Sequence, residues 1–315
     1  NVVDVALIKR YVGNPRLVLE KIYERVLRGS DAADERYLKL LYSSRFGRPL
    51  NLENPQTFNE KLQWLKLHDR NPLYTKLVDK AEVKPWVADR IGWEHVVPTL
   101  GVWDSFGEID FDALPERFVL KCTHDSGGLA ICRDRSSFDM AAARRAIEHS
   151  LSRNYFWSGR EWPYKDVRPR IIAEEYLDPS EGCRGIQEAE ADPDDYKIFC
   201  FGGEPKALFV ATDRASGDTK FDFFDTEWNH MPFTNGHPNA VNEPKKPDHL
   251  EEMLAYAKTL SEGIPQVRVD FYEVGDKVYF GEMTFYHWSG MVPFVPEEYD
   301  RIFGSWIELP NGEIS

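Results

Sequence analysis

Basic residues are scarce in this sequence. Lys and Arg number 39 against 53 Asp and Glu, a formal net charge of 39 − 53 = −14 over 315 residues. Such a chain lacks the basic surface that general nucleic-acid or anionic-membrane binding needs. A local basic pocket for phosphates remains compatible with it. Cysteine is scarcer still, with four residues at 122, 132, 183 and 200. No pair has metal-finger spacing, and four in a chain this long do not make a disulfide framework. The expected setting is therefore reduced and cytoplasmic. No apolar run is long enough to span a bilayer; the stretch 292–295 is broken by Pro293 and followed by Pro296. The first ten residues have neither an initiator methionine nor a signal-peptide layout. Neither a nucleic-acid partner nor stable membrane insertion is expected, and the sequence leaves the oligomeric state open. Internal repeats and low-complexity tracts are missing as well.

What is present is the balance of a folded globular protein, 42% hydrophobic and 29% charged. The length accommodates two or three domains or one large α/β unit. The N-terminal part reads as helical. Leu19, Ile22, Val26 and Leu27 recur at helical spacing, as do Tyr37, Leu38, Leu41 and Tyr42. Thr57 followed by Glu60 forms a capping box ahead of Leu62, Leu65 and Leu67. Near residue 95 the pattern changes to strand-length apolar runs at 96–100, 118–122, 170–174, 196–201 and 207–212. A helix is expected at 139–153 and another at 248–262. A long irregular stretch covers 228–248, and strands return at 267–273 and 277–285.

Six constellations carry chemistry. In Arg268-Val269-Asp270-Phe271-Tyr272, charged and apolar residues alternate, and Val278-Tyr279-Phe280-Gly281-Glu282-Met283-Thr284 follows after a turn near Gly275-Asp276. An odd-length loop would place Arg268, Asp270, Glu282 and Thr284 on one face, an oxygen-rich site suited to Mg²⁺ and phosphates. A two-residue turn would split the carboxylates across the sheet. A solvated hairpin face with an Arg–Asp pair is the plain alternative. Phe118 to Gly128 delivers Lys121 and then a Ser126-Gly127-Gly128 loop. Glycines let backbone N–H groups approach a phosphate, although no Gly-Lys-Ser/Thr of a P-loop follows. Ile171 to Leu177 runs an apolar strand into Glu174 and Glu175, and an ordinary strand exit would look the same. Asp195-Tyr196-Lys197, Asp213-Arg214 and Asp79-Lys80 with Lys84 complete the set, and each is equally readable as a surface charge cluster.

In this order the segments resemble the ATP-grasp superfamily, and more closely its TupA-like family, associated with teichuronopeptide and other surface-polysaccharide biosynthesis. The resemblance runs over residues 38–309. It implies an α+β fold of two subdomains gripping ATP, residues 76–315 with a split into 115–178 and 179–315, preceded by a helical region over 1–75. It implies that Lys84 and Lys121 contact the α- and β-phosphates and that His124, Ser126, Gly127 and Gly128 form a loop over them. Glu174, Glu175, Tyr176 and Leu177 would be the adenine hinge, and Glu181 a ribose ligand. Asp270, Glu282 and Thr284 would hold Mg²⁺, and Arg268, Lys197 and Arg214 would face the transferring phosphoryl group. Most members carry Glu-x-Asn where this chain has Glu282-Met283-Thr284, and a hydroxyl is a weaker metal ligand than an amide oxygen. The implied reaction joins a small-molecule or glycan-precursor carboxylate to an amine through an acylphosphate.

The acceptor side is less constrained. His230, His237, Lys245 and Lys246 lie in or beside the long loop, and Trp288 follows the metal strand, suited either to a sugar ring or to core packing. Two other activities share the gross features. One is a phosphotransferase that stops at a phosphorylated product. The other is a glycosyltransferase using Asp110-Phe111-Asp112 as a metal motif.

Overall fold

The computed structural model describes residues 15–178, 195–213 and 217–310. Five helices open it: α1 Pro15–Val26, α2 Asp31–Phe46, α3 Phe58–His68, α4 Pro72–Val78 and α5 Val83–Ile91. Their ends follow local rules. The Ser30 side chain accepts the Ala33 N–H at the start of α2, and Gly47, at φ 69°, ends it. The Thr57–Glu60 capping box is present in full at α3. One expectation is corrected: Leu19, Ile22 and Val26 point outward, 47–71% exposed, while Glu20 on the same helix is buried. Glu20 is held there by Arg45 and Ser44 of α2.

A four-stranded antiparallel sheet follows, built from β1 Thr99–Trp103, β2 Phe118–Cys122, β3 Leu129–Cys132 and β4 Ile171–Glu175 in the order β1-β4-β2-β3. The first strand thus starts three residues later than its apolar run, and Val96 instead bridges to Phe280. Helix α6, Met140–Leu151, covers one face, with Ala143 and Ile147 against Phe118, Leu120, Ile171 and Ala173.

The second sheet contains β5 Asp195–Phe201, β6 Glu204–Thr212, β7 Lys220–Asp225 and β8 His230–Met231. The long stretch before the next helix holds this last strand and β9, Thr234–Asn235. Helix α7, Leu250–Ser261, precedes the hairpin β10 Gln266–Val274 and β11 Lys277–Thr284. The sheet order is β11-β10-β5-β6-β7-β8. Strand β12, Phe294–Val295, pairs with β9, and α8, Glu298–Ser305, closes the described chain.

The largest core binds α3–α5 to the second sheet. Phe58 is fully buried, with its ring 5.8–6.4 Å from those of Phe199, Phe201, Phe294 and Phe303. Truncating such a ring costs about 3–5 kcal/mol. Tyr37, Leu38, Leu41, Tyr42 and Leu50 form a separate cluster with Met291. No described helix is long and apolar enough to cross a membrane.

Candidate functional site

The two sheets face each other across a cavity of ≈ 430 Å³. Strand alternation builds its walls. Phe118, Leu120 and Cys122 of β2 turn into the core under α6, so Val119 and Lys121 turn onto the cavity. Ile171 and Ala173 of β4 enter the same core, and Glu174 faces the cavity. Val97, Val119, Leu129, Ile131 and Leu177 give one end an apolar lining, while Lys80, Lys121, Lys197, Glu174, Asp195 and Glu282 bring charge.

Glu174 is the electrostatic centre of the four-stranded wall. Lys84 and Lys121 bracket it at 2.5 and 2.6 Å. Burial alone would raise its carboxyl, but the two ammonium groups overcome burial and hold it at about 2. Burial also opposes the charge on both lysines. Glu174 outweighs it at Lys121, which is raised, whereas burial wins at Lys84, which is lowered. Lys84 donates to the Val97 carbonyl at 2.7 Å and stands behind Glu174 rather than on the cavity wall. Lys80 stands there instead. Asp79 caps its turn through the Ala81 and Glu82 N–H groups at 2.8 and 3.1 Å, and the Lys80 ammonium donates to the Asp125 carbonyl. Pairing of β4 with its neighbours ends at Glu174 and Glu175. Tyr176 and Leu177 therefore leave the sheet at the cavity. Arg117 and Arg133 flank the Tyr176 ring at 5.5 and 5.9 Å.

The loop between β2 and β3 is tightly folded. The Cys122 N–H donates to the Gly128 carbonyl at 2.7 Å and the Gly128 N–H to Asp125 Oδ1 at 3.1 Å. Ser126 and Gly128 reach the cavity. A Cβ on Gly128 would lie 2.4 Å from Cys122 Sγ, so packing demands glycine there, whereas one on Gly127 would meet only Asp125 Oδ2, at 3.7 Å. His124 turns away from the cavity. Its buried Nε2 lies 3.1 Å from both the Ser150 and Arg153 carbonyls, so that nitrogen carries the proton. Its ring ties the loop to the end of α6.

The hairpin resolves the register question in an unforeseen way. Val274 pairs with Lys277, so the turn is the two-residue Gly275-Asp276, the length expected to split the carboxylates. Yet Asp270 pairs with Glu282 and Arg268 with Thr284. A β-bulge at Gly281 supplies the extra residue and returns all four to one face. Asp270 is 1% exposed and accepts Arg268 Nε and Nη2, both at 2.7 Å, and Lys197 Nζ at 2.6 Å. Burial would raise its carboxyl, but these two cations hold it below the usual range. Arg268 also donates to Thr284 Oγ1 at 3.0 Å and to His287 Nδ1 at 2.7 Å. His287 Nε2–H donates to Asn235 Oδ1 at 2.9 Å. Burial, Arg268 and Lys197 push the His287 imidazole far below its ordinary value, and it is neutral. Glu282 projects into the cavity, 37% exposed and 3.8 Å from Arg268.

The cavity therefore brings together Lys121, Ser126, Gly128, Glu174, Glu175, Tyr176, Leu177, Lys197 and Glu282 from among the expected residues. Arg268, Asp270 and Thr284 form the charged network at its edge. Glu181 and Arg214 lie outside the described residues. Lys80, Asp125, Asp195 and Tyr272 line the cavity without having been assigned a role. Tyr272 was legible as the next residue of the Arg268–Asp270 alternation. Away from the cavity, Asp110 accepts the Asp112 N–H at 3.1 Å and shapes its own exposed turn. His230 lies 3.4 Å from Asp222, His237 packs on Phe221, and Lys246 pairs with Glu251 at 2.8 Å.

A family model described as TupA-like ATPgrasp matches residues 60–308. No curated protein matches the chain. Among solved structures it is similar to the D-alanine–D-alanine ligase from Bacillus anthracis complexed with ATP, at 13% identity and TM-score 0.37, over 67% of this chain and 55% of that one. The D-alanine–D-alanine ligase from Helicobacter pylori gives 12% identity and TM-score 0.38, over 74% and 61%. The ATP-grasp ligase PsnB complexed with precursor peptide PsnA2 and AMPPNP gives 9% identity and TM-score 0.36, over 74% and 59%. The chain thus spans 55–61% of the length of these three structures.

Proposed function

Because this chain belongs to the TupA-like ATP-grasp family, we propose that it is an ATP-dependent carboxylate–amine ligase. The observation that carries the reading is one cavity, between two antiparallel sheets, with an apolar end and a charged end. Val97, Val119, Ile131 and Leu177 suit an adenine face, with the Glu175–Leu177 backbone at its edge. Lys80 and Lys121 suit the phosphates. Arg268 and Lys197 neutralise charge at the transferring phosphoryl group.

The donor set fits Mg²⁺. It is all oxygen, with two carboxylates paired across the hairpin. Asp270 and Thr284 are already engaged by Arg268 and Lys197, so Glu282 is the principal ligand, with Asp270 second and ATP phosphate oxygens completing the shell. When bound, Mg²⁺ supplies charge neutralisation to the phosphates.

In the reaction, a carboxylate oxygen of the substrate attacks the γ-phosphorus and the bond to ADP breaks. The amine, once its ammonium form has given a proton to solvent, then attacks the acyl carbon, the bond to phosphate breaks, the departing phosphate takes the second nitrogen proton, and an amide forms. The family association makes a uronic acid or amino-acid-bearing sugar of a surface polysaccharide the proposed acceptor class.

Calorimetry with ATP and Mg²⁺ tests this first, on wild type and on Glu282→Gln. Mg²⁺-dependent binding in the wild type that is lost in the variant is the expected result. Uronic acids paired with amines are then screened for ADP release. ADP formed without any amide would make the protein a phosphotransferase, and absent ATP binding in the wild type would sink both readings.

A further inference from the structure

A second cavity, ≈ 410 Å³, lies between the N-terminal helices and the segment that follows β11. We propose that this cavity binds the amine substrate as its ammonium form, with Glu161 as the anion that holds it; the proposal rests on the ligase reading above.

Helical spacing builds one wall. Leu17, Glu20, Lys21 and Glu24 of α1 share a face, as do Tyr37, Leu41 and Arg45 of α2. Arg160 anchors both helices. It is 1% exposed, pairs with Asp34 at 2.6 Å and donates to the Leu27 carbonyl at 2.5 Å. The opposite wall is Tyr155, Gly159, Glu161, Trp288 and Ser289.

Charge selects the ligand. The lining holds three carboxylates and two cations. Arg45 is committed to Glu20 and Lys21 to Glu24. Glu161 is left as the anion whose nearest counter-charge, Lys66, is reached through Ser289. Lys66 donates to the Ser289 hydroxyl at 2.8 Å, and that hydroxyl reaches Glu161. The Tyr37, Tyr155 and Trp288 rings add aromatic surface. An anion beside aromatic rings is the chemistry that recognises an alkylammonium. Burial raises the Glu161 carboxyl and lowers the Lys66 ammonium, and a cationic ligand beside Glu161 would favour its charged form.

Two observations join this cavity to the reaction. Tyr155 lines it, and its phenol lies beside the Ser126 side chain of the nucleotide cavity. Trp288 and Ser289 come shortly after Thr284 and hold left-handed backbones, φ 49° and 56°. Two consecutive non-glycine residues in that region are strained, and such strain concentrates at functional sites. Gln63 holds the strained turn through the Ser289 and Gly290 carbonyls, at 3.1 and 2.9 Å.

Ligand-observed NMR tests the proposal on wild type, Glu161→Gln and Leu17→Trp. The probes are ethanolamine and glucosamine as cations, glucose as the neutral sugar and glucuronate as the anion. The cations are expected to bind the wild type and to weaken about tenfold in Glu161→Gln, the loss of one charge-assisted hydrogen bond. Leu17→Trp fills the cavity from α1 without touching Glu161, and it is expected to weaken them equally should Glu161→Gln fail to fold. Unchanged cation binding in the variants, no cation binding to the wild type, or glucose or glucuronate binding that Leu17→Trp weakens as much as it weakens the cations would overturn the proposal. ATP–Mg²⁺ binding is measured on the same samples. Its absence from the wild type would defeat the ligase reading separately from the amine result.

Discussion

Glu174 shows how much one residue carries. In sequence it is an acid at a strand end; in the fold it is the shared counter-ion of two lysines and a wall of the cavity between the sheets. Its folded value of about 2 lies below its ordinary 4.5. A depressed carboxyl stabilises the fold above its unfolded value and loses that contribution as pH falls toward the folded one. The gap corresponds to about 3 kcal/mol. Denaturant unfolding between pH 5 and pH 2 is expected to show the wild type losing about that much more stability than Glu174→Gln. At neutral pH the variant is expected to be less stable by about 3–5 kcal/mol, because two lysines lose their counter-charge. Equal acid sensitivity in both proteins would remove Glu174 from this role. Asp270 follows the same logic with Arg268 and Lys197. Asp270→Asn is therefore expected to lower stability as well as ATP binding, whereas Glu282→Gln lowers binding alone, and thermal melts beside calorimetry separate the two.

At the scale of elements, the β10–β11 hairpin departs from simple counting. Alternation and a two-residue turn place Glu282 on the wrong face, and one bulged glycine reverses this. A Cβ on Gly281 would lie 3.1 Å from the Asp270 carbonyl and 3.2 Å from Tyr272 Cε2. Gly281→Val is expected to crowd both, costing about 1–3 kcal/mol and weakening ATP binding. A melting temperature and affinity equal to wild type would show that the bulge tolerates side chains. Helix α3 followed its sequence signals closely, because a capping box acts within four residues. Helix α1 did not. Its outward Leu19, Ile22 and Val26 and inward Glu20 answer to Arg45 and Ser44 of α2, partners that periodicity in α1 alone does not reveal.

For the whole molecule, two long-range ties matter most. Arg160 joins α1, α2 and the turn that carries Glu161 through Asp34, Leu27 and Trp157. Arg160→Ala strands the Asp34 carboxylate and is expected to cost about 3–5 kcal/mol. Arg160→Lys is expected to recover little of it, since a lysine cannot fork between several acceptors; full rescue in urea unfolding would refute that account. The second tie is the proposed nucleotide, because the cavity assigned to it is walled by both sheets. At 100 times its Kd, ATP–Mg²⁺ is expected to add about 2.7 kcal/mol and raise Tm by several degrees. Chelating Mg²⁺ is expected to abolish most of that rise, and a Tm indifferent to EDTA would argue against a metal at Glu282.

What the sequence determined by itself was local or ordered along the chain. The helical start, the capping box, the strand runs and the succession Lys121, Glu174, Lys197, Asp270, Glu282 are all legible because period, cap and spacing act over a few residues. Tertiary structure alone decided which of two nearby lysines reaches the cavity. Lys80 and Lys84 look equivalent in sequence, but the Asp79 cap turns Lys80 outward while α5 buries Lys84 against Glu174. It also turned His124 into a tether for α6 and assembled Glu161, Lys66 and Ser289 from three distant parts of the chain. The physical reason is the same each time. A buried charge takes its position from the partners that compensate it, and those partners meet only when the chain has folded.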